Sequence, residues 1–337
     1  MADALTDILK DRDWLLLDGA TGTNLFAMGL EAGEAPELWN TDAPDKIRAL
    51  HNGFIEAGSD VILTNSFGGS SYRLKLHNAQ DRVYELNRAA AEIGRECADA
   101  SERKVIVAGS LGPTGEILQP VGTLRHEDAV AAFEEQICGL MDGGADVIWA
   151  ETVSSEEEVR AVAEAASNRN APFCATLSFD TAGRTMMGVT SAGYAGIAGN
   201  LPASPIAIGA NCGTGAPDLL RTVMGITEAA PDAVVIAKGN AGIPKYIDGH
   251  IHYDGTPELM ADYARLARDI GARLIGGCCG TKPEHLRAMR AALETHVPAG
   301  KPTLDDISRR VGAFSSDSDG TGETAQPERP RRRRRRG

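Results

Sequence analysis

Residues 257–280 read PELMADYARLARDIGARLIGGCCG. Over the first fourteen positions apolar residues return every three to four places, behind a proline suited to a first helical turn and ahead of a closing glycine. A short run follows, Leu274 to Gly277, with nothing charged in it, and it stops at Cys278 and Cys279. Runs that are apolar on both faces suit parallel strands covered on either side, whereas a half-exposed strand alternates. The stretch is thus a helix that feeds a buried strand.

The unit repeats. Apolar runs of the same kind stand at 14–19 (WLLLDG), 60–67 (DVILTNSF), 104–113 (KVIVAGSLGP), 146–153 (DVIWAETV), 173–180 (FCATLSFD), 206–213 (IAIGANCG) and 233–242 (AVVIAKGNAG), and helical spacing fills most of the intervals. Strands alternating with helices build right-handed crossover units, and eight such units imply an α/β fold, a (β/α)8 TIM-type barrel. An open doubly wound sheet is the competing arrangement. It would carry a phosphate-binding fingerprint after its first strand, and DGATGTN at 18–24 lacks the third glycine. We assign the barrel to residues 1–297. The extension 298–337 is rich in Ser, Gly, Pro and charge, is expected to be disordered from about residue 315, and ends in the run Arg331 to Arg336.

The 337 residues carry a formal charge of −13, and the terminal arginines leave the remainder more acidic still. A surface that grips phosphates needs clustered cations, so nucleic-acid binding by the body is not expected. No run approaches the roughly 20 apolar residues that span a bilayer, and the first residues scatter charges where a signal peptide would be apolar. Six cysteines without a secretory leader read as reduced thiols, so a cytoplasmic protein with no disulfide framework is expected.

In a barrel, reactive groups gather where strands end and the following loops begin. Polar or reactive side chains stand there in almost every unit: Asp18, Asn65 with Ser66, Glu116, Glu151 with Thr152, Asp180, Asn211 with Cys212, Lys238 with Asn240, and Cys278 with Cys279. Cys212 closes the sixth strand and the cysteine pair closes the eighth, so one rim gathers three thiols. Thiolate is a soft ligand that suits Zn2+, and a catalytic zinc keeps three protein ligands and an open fourth position. Flanking glycines let a bent backbone aim neighbouring side chains the same way, where a strand would send them to opposite faces. The competing reading of any free cysteine is a small buried hydrophobe, and it is the one given to Cys97, Cys138 and Cys174. His250 and His252, in DGHIHYDGT at 248–256, are a second conceivable metal pair, read here as a solvated loop.

In DGATGTNL (18–25), EAGSDVILTNSFGG (56–69), AGSLGPTGE (108–116), GADVIWAET (144–152), GANCG (209–213) and GGCCGTKPEHLRAM (276–289) the chain resembles the homocysteine S-methyltransferase family. That family covers betaine-homocysteine methyltransferase and the homocysteine-binding module of cobalamin-dependent methionine synthase. The resemblance spans roughly residues 10 to 295. It implies the barrel, zinc on Cys212, Cys278 and Cys279, and methyl transfer to the thiol of L-homocysteine to give methionine. It also implies that Asp18 and Glu151 bind the substrate amine, that amides near Gly19 hold its carboxylate, and that Asn240 is a candidate fourth zinc ligand. N-capping of the following helices is the structural alternative for Asp18 and Glu151.

The methyl donor is less sharply written. A quaternary ammonium calls for aromatic faces. Trp39, in the long first loop where betaine enzymes carry a donor-binding tryptophan, and Tyr72, near the end of the second strand with Phe67, are the candidates. Betaine is the favoured donor. Against it, Gly68 and Thr152 stand where the animal-type betaine enzymes carry tyrosines. The alternatives are a homocysteine-activating subunit that serves a separate corrinoid protein, an S-methylmethionine-dependent enzyme, and a zinc-stabilised scaffold. The oligomeric state stays open, a homo-oligomer included.

Overall fold

The computed structural model describes residues 3–243, 245–247 and 250–321, with backbone alone for 245–247 and 250–252. Eight strands form one parallel sheet: β1 (Leu15–Leu16), β2 (Val61–Leu63), β3 (Ile106–Leu111), β4 (Val147–Val153), β5 (Phe173–Leu177), β6 (Ala207–Cys212), β7 (Val235–Gly239) and β8 (Leu274–Gly277). Their order is β1–β8–β7–β6–β5–β4–β3–β2. A bridge between Leu17 and Val61 brings the two ends of that order together, so the sheet closes into the expected barrel.

Strand residues divide by the pleat. Leu15, Leu17, Val61, Leu63, Ile106 and Trp149 belong to the cluster that fills the barrel, which Leu5 and Leu9 of the helix Ala4–Asp11 also join. Leu16, Ile62, Val107, Ile148 and Ile275 face the surrounding helices instead. Burial on both faces is why the runs read as continuously apolar. The helix Pro257–Ile270 shows how the units are delimited. Thr256 accepts a hydrogen bond from the Leu259 amide at 3.3 Å, Pro257 opens the first turn, and Gly271 takes a left-handed φ of 107° at the end. Met260, Tyr263, Ala264, Leu266, Ala267 and Ile270 are its buried face.

The joint between β1 and β2 is narrow, and two carboxylates supply bonds that a longer ladder would make. Towards the strand starts, Leu16 N–H donates to Asp60 Oδ2 at 2.9 Å and Asp60 N–H donates to Leu16 O at 2.7 Å. Towards the strand ends, Leu63 N–H donates to Asp18 Oδ2 at 2.7 Å. Asp60 is wholly buried and also receives Arg12, Arg103 and Arg290, at 2.8, 3.2 and 2.9 Å.

The extension starts as structure. Its helix Leu304–Val311 buries Ile307 and Val311, and the Phe314 ring lies 4.6 Å from the Arg221 guanidinium carbon. Ser315 N–H donates to Asp218 Oδ2 at 3.0 Å and Ser316 O accepts from Arg221 at 2.9 Å. Order thus persists where composition alone put its end, because Asp218 and Arg221 offer partners some 95 residues away in sequence. The remainder, with Arg331 to Arg336, lies outside the described residues. Among the described residues no helix is long and apolar enough to cross a membrane.

Candidate metal centre and active site

β6 ends in Cys212, whose φ of 59° is left-handed, and Gly213 continues at 71°. That reversal turns the Cys212 side chain towards β8. After β8, Thr281 N–H donates to Cys278 O at 3.0 Å, which closes a turn over 278–281 with Gly280 at φ 79° in its third place. A positive φ at that position marks a type II turn and selects glycine. The two cysteines are the first residues of this turn rather than strand residues, which is how adjacent thiols escape opposite faces. The three sulfurs all lie within 4.8 Å of one another, and Cys212 Sγ to Cys279 Sγ is 4.0 Å.

Two asparagines hold the loops. Asn240 Nδ2 donates to Gly213 O at 2.9 Å, and its Oδ1 accepts from the Cys279 amide at 3.0 Å, so one side chain pins both cysteine-bearing loops. Asn211 accepts from Thr152 N–H and from Thr176 Oγ1, each at 2.7 Å, and its Nδ2 reaches Cys278 Sγ at 3.9 Å. Thr152 itself has φ 63°, so the backbone turns sharply at the ends of both β4 and β6. Gly19 has no room for a side chain: a Cβ there would stand 2.7 Å from Thr281 O.

Beside the sulfurs lies a buried charge triad. Lys238 Nζ is 3.2 Å from Asp18 Oδ1 and 3.4 Å from Glu151 Oε2, and Ser110 Oγ donates to Glu151 Oε1 at 2.8 Å. Burial lifts the Asp18 carboxyl to about 6, against the pull of Lys238, so it stays ionised at neutral pH. For Lys238 burial works against the charge, but Asp18 and then Glu151 more than offset it and hold the ammonium protonated. Among the thiols, hydrogen bonds from Cys212 and Cys278 carry Cys279 down to about 3. Cys278 is lowered by Cys212 but raised more by Cys279 and burial, to about 11, and Cys212 is pushed up by its bonds to both. One thiolate thus forms readily and its charge opposes the next, an imbalance that a bound cation would remove.

The sulfurs face a cavity of about 490 Å³, bounded by Gly19, Glu151, Lys238 and Tyr253 near the thiols and by Phe26, Glu37, Phe67, Arg73 and His77 further out. Tyr253 shares this lining with Cys279. A soft, three-sulfur donor set on one wall of such a cavity is suited to a thiophilic metal with an accessible further position.

A sequence profile of the homocysteine S-methyltransferase family matches residues 15–293. The chain belongs to that family. It is 31% identical over 305 residues to the methionine synthase of Mycobacterium tuberculosis (strain H37Rv), a match that covers 86% of this chain and 25% of that protein. The chain therefore spans about a quarter of the length of that relative. Crystal structures of the homocysteine methyltransferase MmuM from Escherichia coli share the fold. The metallated form has a TM-score of 0.71 at 24% identity, covering 85% of this chain and 99% of that one. The oxidized form gives 0.71 at 25% identity, covering 86% and 99%.

The remaining sequence candidates divide sharply. Cys212, Cys278, Cys279, Gly19 and Glu151 are brought together around the cavity. Asp18 sits behind it, fully buried, with one oxygen on Leu63 N–H and the other facing Lys238. Neither Asp18 nor Glu151 caps a helix, since Ser155 caps the one that follows β4 and the one after β1 has no side-chain cap. Asn240 has both polar atoms engaged, one on each of the two cysteine-bearing loops.

Trp39 is 9% exposed in the helix-facing core, with the Lys46 ammonium 4.0 Å from its ring centroid. A cation of the chain itself thus lies over the ring, and Trp39 is not among the residues that line the cavity. Tyr72 packs partly buried against the same core and is likewise absent from the lining. Phe67 and Phe26 provide the outer aromatic surface instead. Glu116 and Asp180 are exposed. Cys97 and Cys174 are buried and Cys138 is partly so, as packing residues. His250 and His252 fall on the second strand of a hairpin, Lys245–Ile247 with His250–His252, and their side chains lie outside the described residues. Lys238 and Tyr253 carried no assigned role in the sequence; Lys238, polar within an otherwise apolar run, was the visible signal.

Proposed function

We propose that the chain methylates the thiol of L-homocysteine at a zinc ion held by Cys212, Cys278 and Cys279, with betaine as the methyl donor. The observation that carries the reading is the trio of sulfurs within 4.8 Å on the wall of a cavity large enough for two small substrates. Zinc, when bound, deprotonates an incoming thiol and leaves it nucleophilic. The chain's own residues do the rest. Asn211 and Asn240 fix the sulfur-bearing loops, Glu151 accepts from the substrate ammonium, and holding both substrates in one cavity aligns thiol and methyl group. The new S–CH3 bond forms as the CH3–N bond of betaine breaks. The electron pair stays on the departing amine, dimethylglycine, and the thiol proton is released to solvent.

Betaine is supported by the outer part of the cavity. Phe26 and Phe67 bring aromatic rings to the region where a quaternary ammonium would sit, and the Arg73 guanidinium lines the same cavity as a cation for its carboxylate. The likeness to a methionine synthase favours a second reading, in which a methylated corrinoid on a separate protein is the donor. A donor screen with the zinc-loaded protein and homocysteine decides between them. Methionine from betaine alone supports the first reading, and methionine from a methylated corrinoid alone supports the second. Turnover with S-methylmethionine alone would point to a third donor class. A closed metal site that releases no proton on thiol addition would mark a scaffold and end the catalytic reading.

A further inference from the structure

The loop that carries Cys212 has little of its own to hold it. Gly213, Thr214 and Gly215 join β6 to the helix Ala216–Ala229, both glycines take positive φ, and a small cavity bounded by Phe179, Leu219 and Thr222 adjoins Cys212 and Gly213. Fixing a glycine-rich turn carries a large backbone entropy cost, and Asn240 offsets it only on the side of the sulfurs, at Gly213 O. The other side meets the C-terminal extension, which lies beyond the 15–293 span of the family profile. Phe314 rests on the Arg221 guanidinium, Ser315 N–H donates to Asp218 Oδ2 at 3.0 Å, and Ser315 Oγ donates to Thr214 Oγ1 at 3.2 Å. Arg221 in turn donates to Ser316 O at 2.9 Å and to Asp218 Oδ1 at 2.8 Å. The Arg221 and Asp218 side chains are only 9% and 8% exposed, and both residues belong to the start of the helix that the Cys212 loop leads into. The far end of the segment is locked by two glycines. Gly183, at φ 82° in the turn 181–184 after β5, and Gly320, at φ 85°, meet backbone to backbone. A Cβ on Gly183 would stand 2.3 Å from Asp319 C, and one on Gly320 would stand 2.2 Å from Gly183 O, so each glycine is required by the other.

We propose that residues 314–320 are a strap that positions the Cys212 loop: docked on Asp218, Arg221 and Gly183, they hold that loop near Cys278 and Cys279 and slow the escape of a bound metal ion. This rests on the reading of the three sulfurs as a metal site and adds to it a positioning element supplied from outside the barrel. The strap reaches the loops after β5 and β6. The turn after β8 has supports of its own, Gly239 O on the Cys278 amide at 2.7 Å and Thr23 Oγ1 on the Gly280 amide at 3.2 Å. Releasing the strap therefore frees Cys212 selectively and leaves Cys278 and Cys279 as they were.

The test uses two full-length variants. Gly320→Ala unseats the far end, and Ser315→Pro removes both Ser315 bonds at an exposed position, so that one remains if the other fails to fold. In the reduced, metal-free proteins the rate of iodoacetamide alkylation is followed at each cysteine by peptide mass spectrometry. Cys212 is expected to react about threefold or more faster in the variants than in the unmodified protein, the equivalent of about one hydrogen bond. Cys278 and Cys279 should change by less than about twofold. In the zinc-loaded proteins, transfer of zinc to an excess of chelator should quicken by about threefold or more as well. A segment that only adds general stability would lower the urea midpoint and speed all three cysteines together. That result overturns the inference, as does an unchanged Cys212 rate in both variants. Selective exposure of Cys212 with an unchanged rate of zinc transfer overturns the claim on metal retention. If the unmodified protein takes up no zinc, the metal reading itself falls, and the alkylation rates still decide whether the strap holds the loop.

Discussion

Asn240 shows how a residue's chemistry is decided by what it already touches. Its carbonyl and amide are both in use, on Cys279 and on the loop after Cys212, so it sets the spacing of two ligand loops. Residues that orient ligands typically matter by 10–100-fold in metal affinity. Asn240→Ala should accordingly weaken zinc binding by about that range, measured by competition with a chromophoric chelator, with the three cysteines unchanged. The cysteines were legible in the sequence because strand ends share a rim, which brings residues 67 apart into contact. The surroundings of Trp39 were not legible, since nothing in the local sequence announced that Lys46 would lie over its ring. His51 carries a second residue-scale prediction. It is wholly buried on the helix Pro44–Glu56, neither ring nitrogen has a partner among the described residues, and burial pushes it down to about 4. Above the ordinary histidine value of 6.5 both folded and unfolded states are neutral and the residue costs nothing. As pH falls below that, the unfolded chain takes a proton that the folded one refuses, so stability is lost down to about 4, by about 3 kcal/mol in all. Urea midpoints at several pH values should show this slope in the unmodified protein and lack it in His51→Phe.

At the scale of elements, the strands were readable because parallel strands covered on both faces have no polar period to conceal them. The paired strands Lys245–Ile247 and His250–His252 were not, because the sequence around them mixes charge, glycine and histidine and reads as a loop. Contacts between elements were also hidden. Gly239 N–H at the end of β7 donates to the Tyr263 hydroxyl at 2.9 Å, so a side chain on the helix Pro257–Ile270 satisfies the backbone next to Lys238 and Asn240. Tyr263 is fully buried, and no spacing rule in sequence couples it to that amide. Tyr263→Phe removes the acceptor and leaves a buried N–H, at a cost of about 1–3 kcal/mol. Its thermal midpoint should fall accordingly, with the far-ultraviolet circular dichroism of the fold retained.

For the whole molecule, closure of the barrel depends on charge placement as much as on the ladder. Asp60 gathers Arg12 from near the N-terminal helix, Arg103 from the approach to β3 and Arg290 from the helix Pro283–Thr295, which binds early, middle and late parts of the chain at one point. Removing one partner from a buried ionic cluster leaves the others uncompensated. Asp60→Asn is expected to lower stability by about 3 kcal/mol, read as a reduced urea midpoint with an unchanged transition slope. The cluster was not legible beforehand, because an aspartate ahead of a strand looks like any turn residue until the three arginines arrive in space.

The same economy operates at the other end of the joint. Asp18 stitches β1 to β2 through Leu63 and, with its second oxygen, steadies Lys238. A single buried carboxylate therefore joins the seam of the scaffold to the cavity wall that Lys238 lines. Any substitution at Asp18 therefore reaches both the β1–β2 seam and the Lys238 ammonium at once.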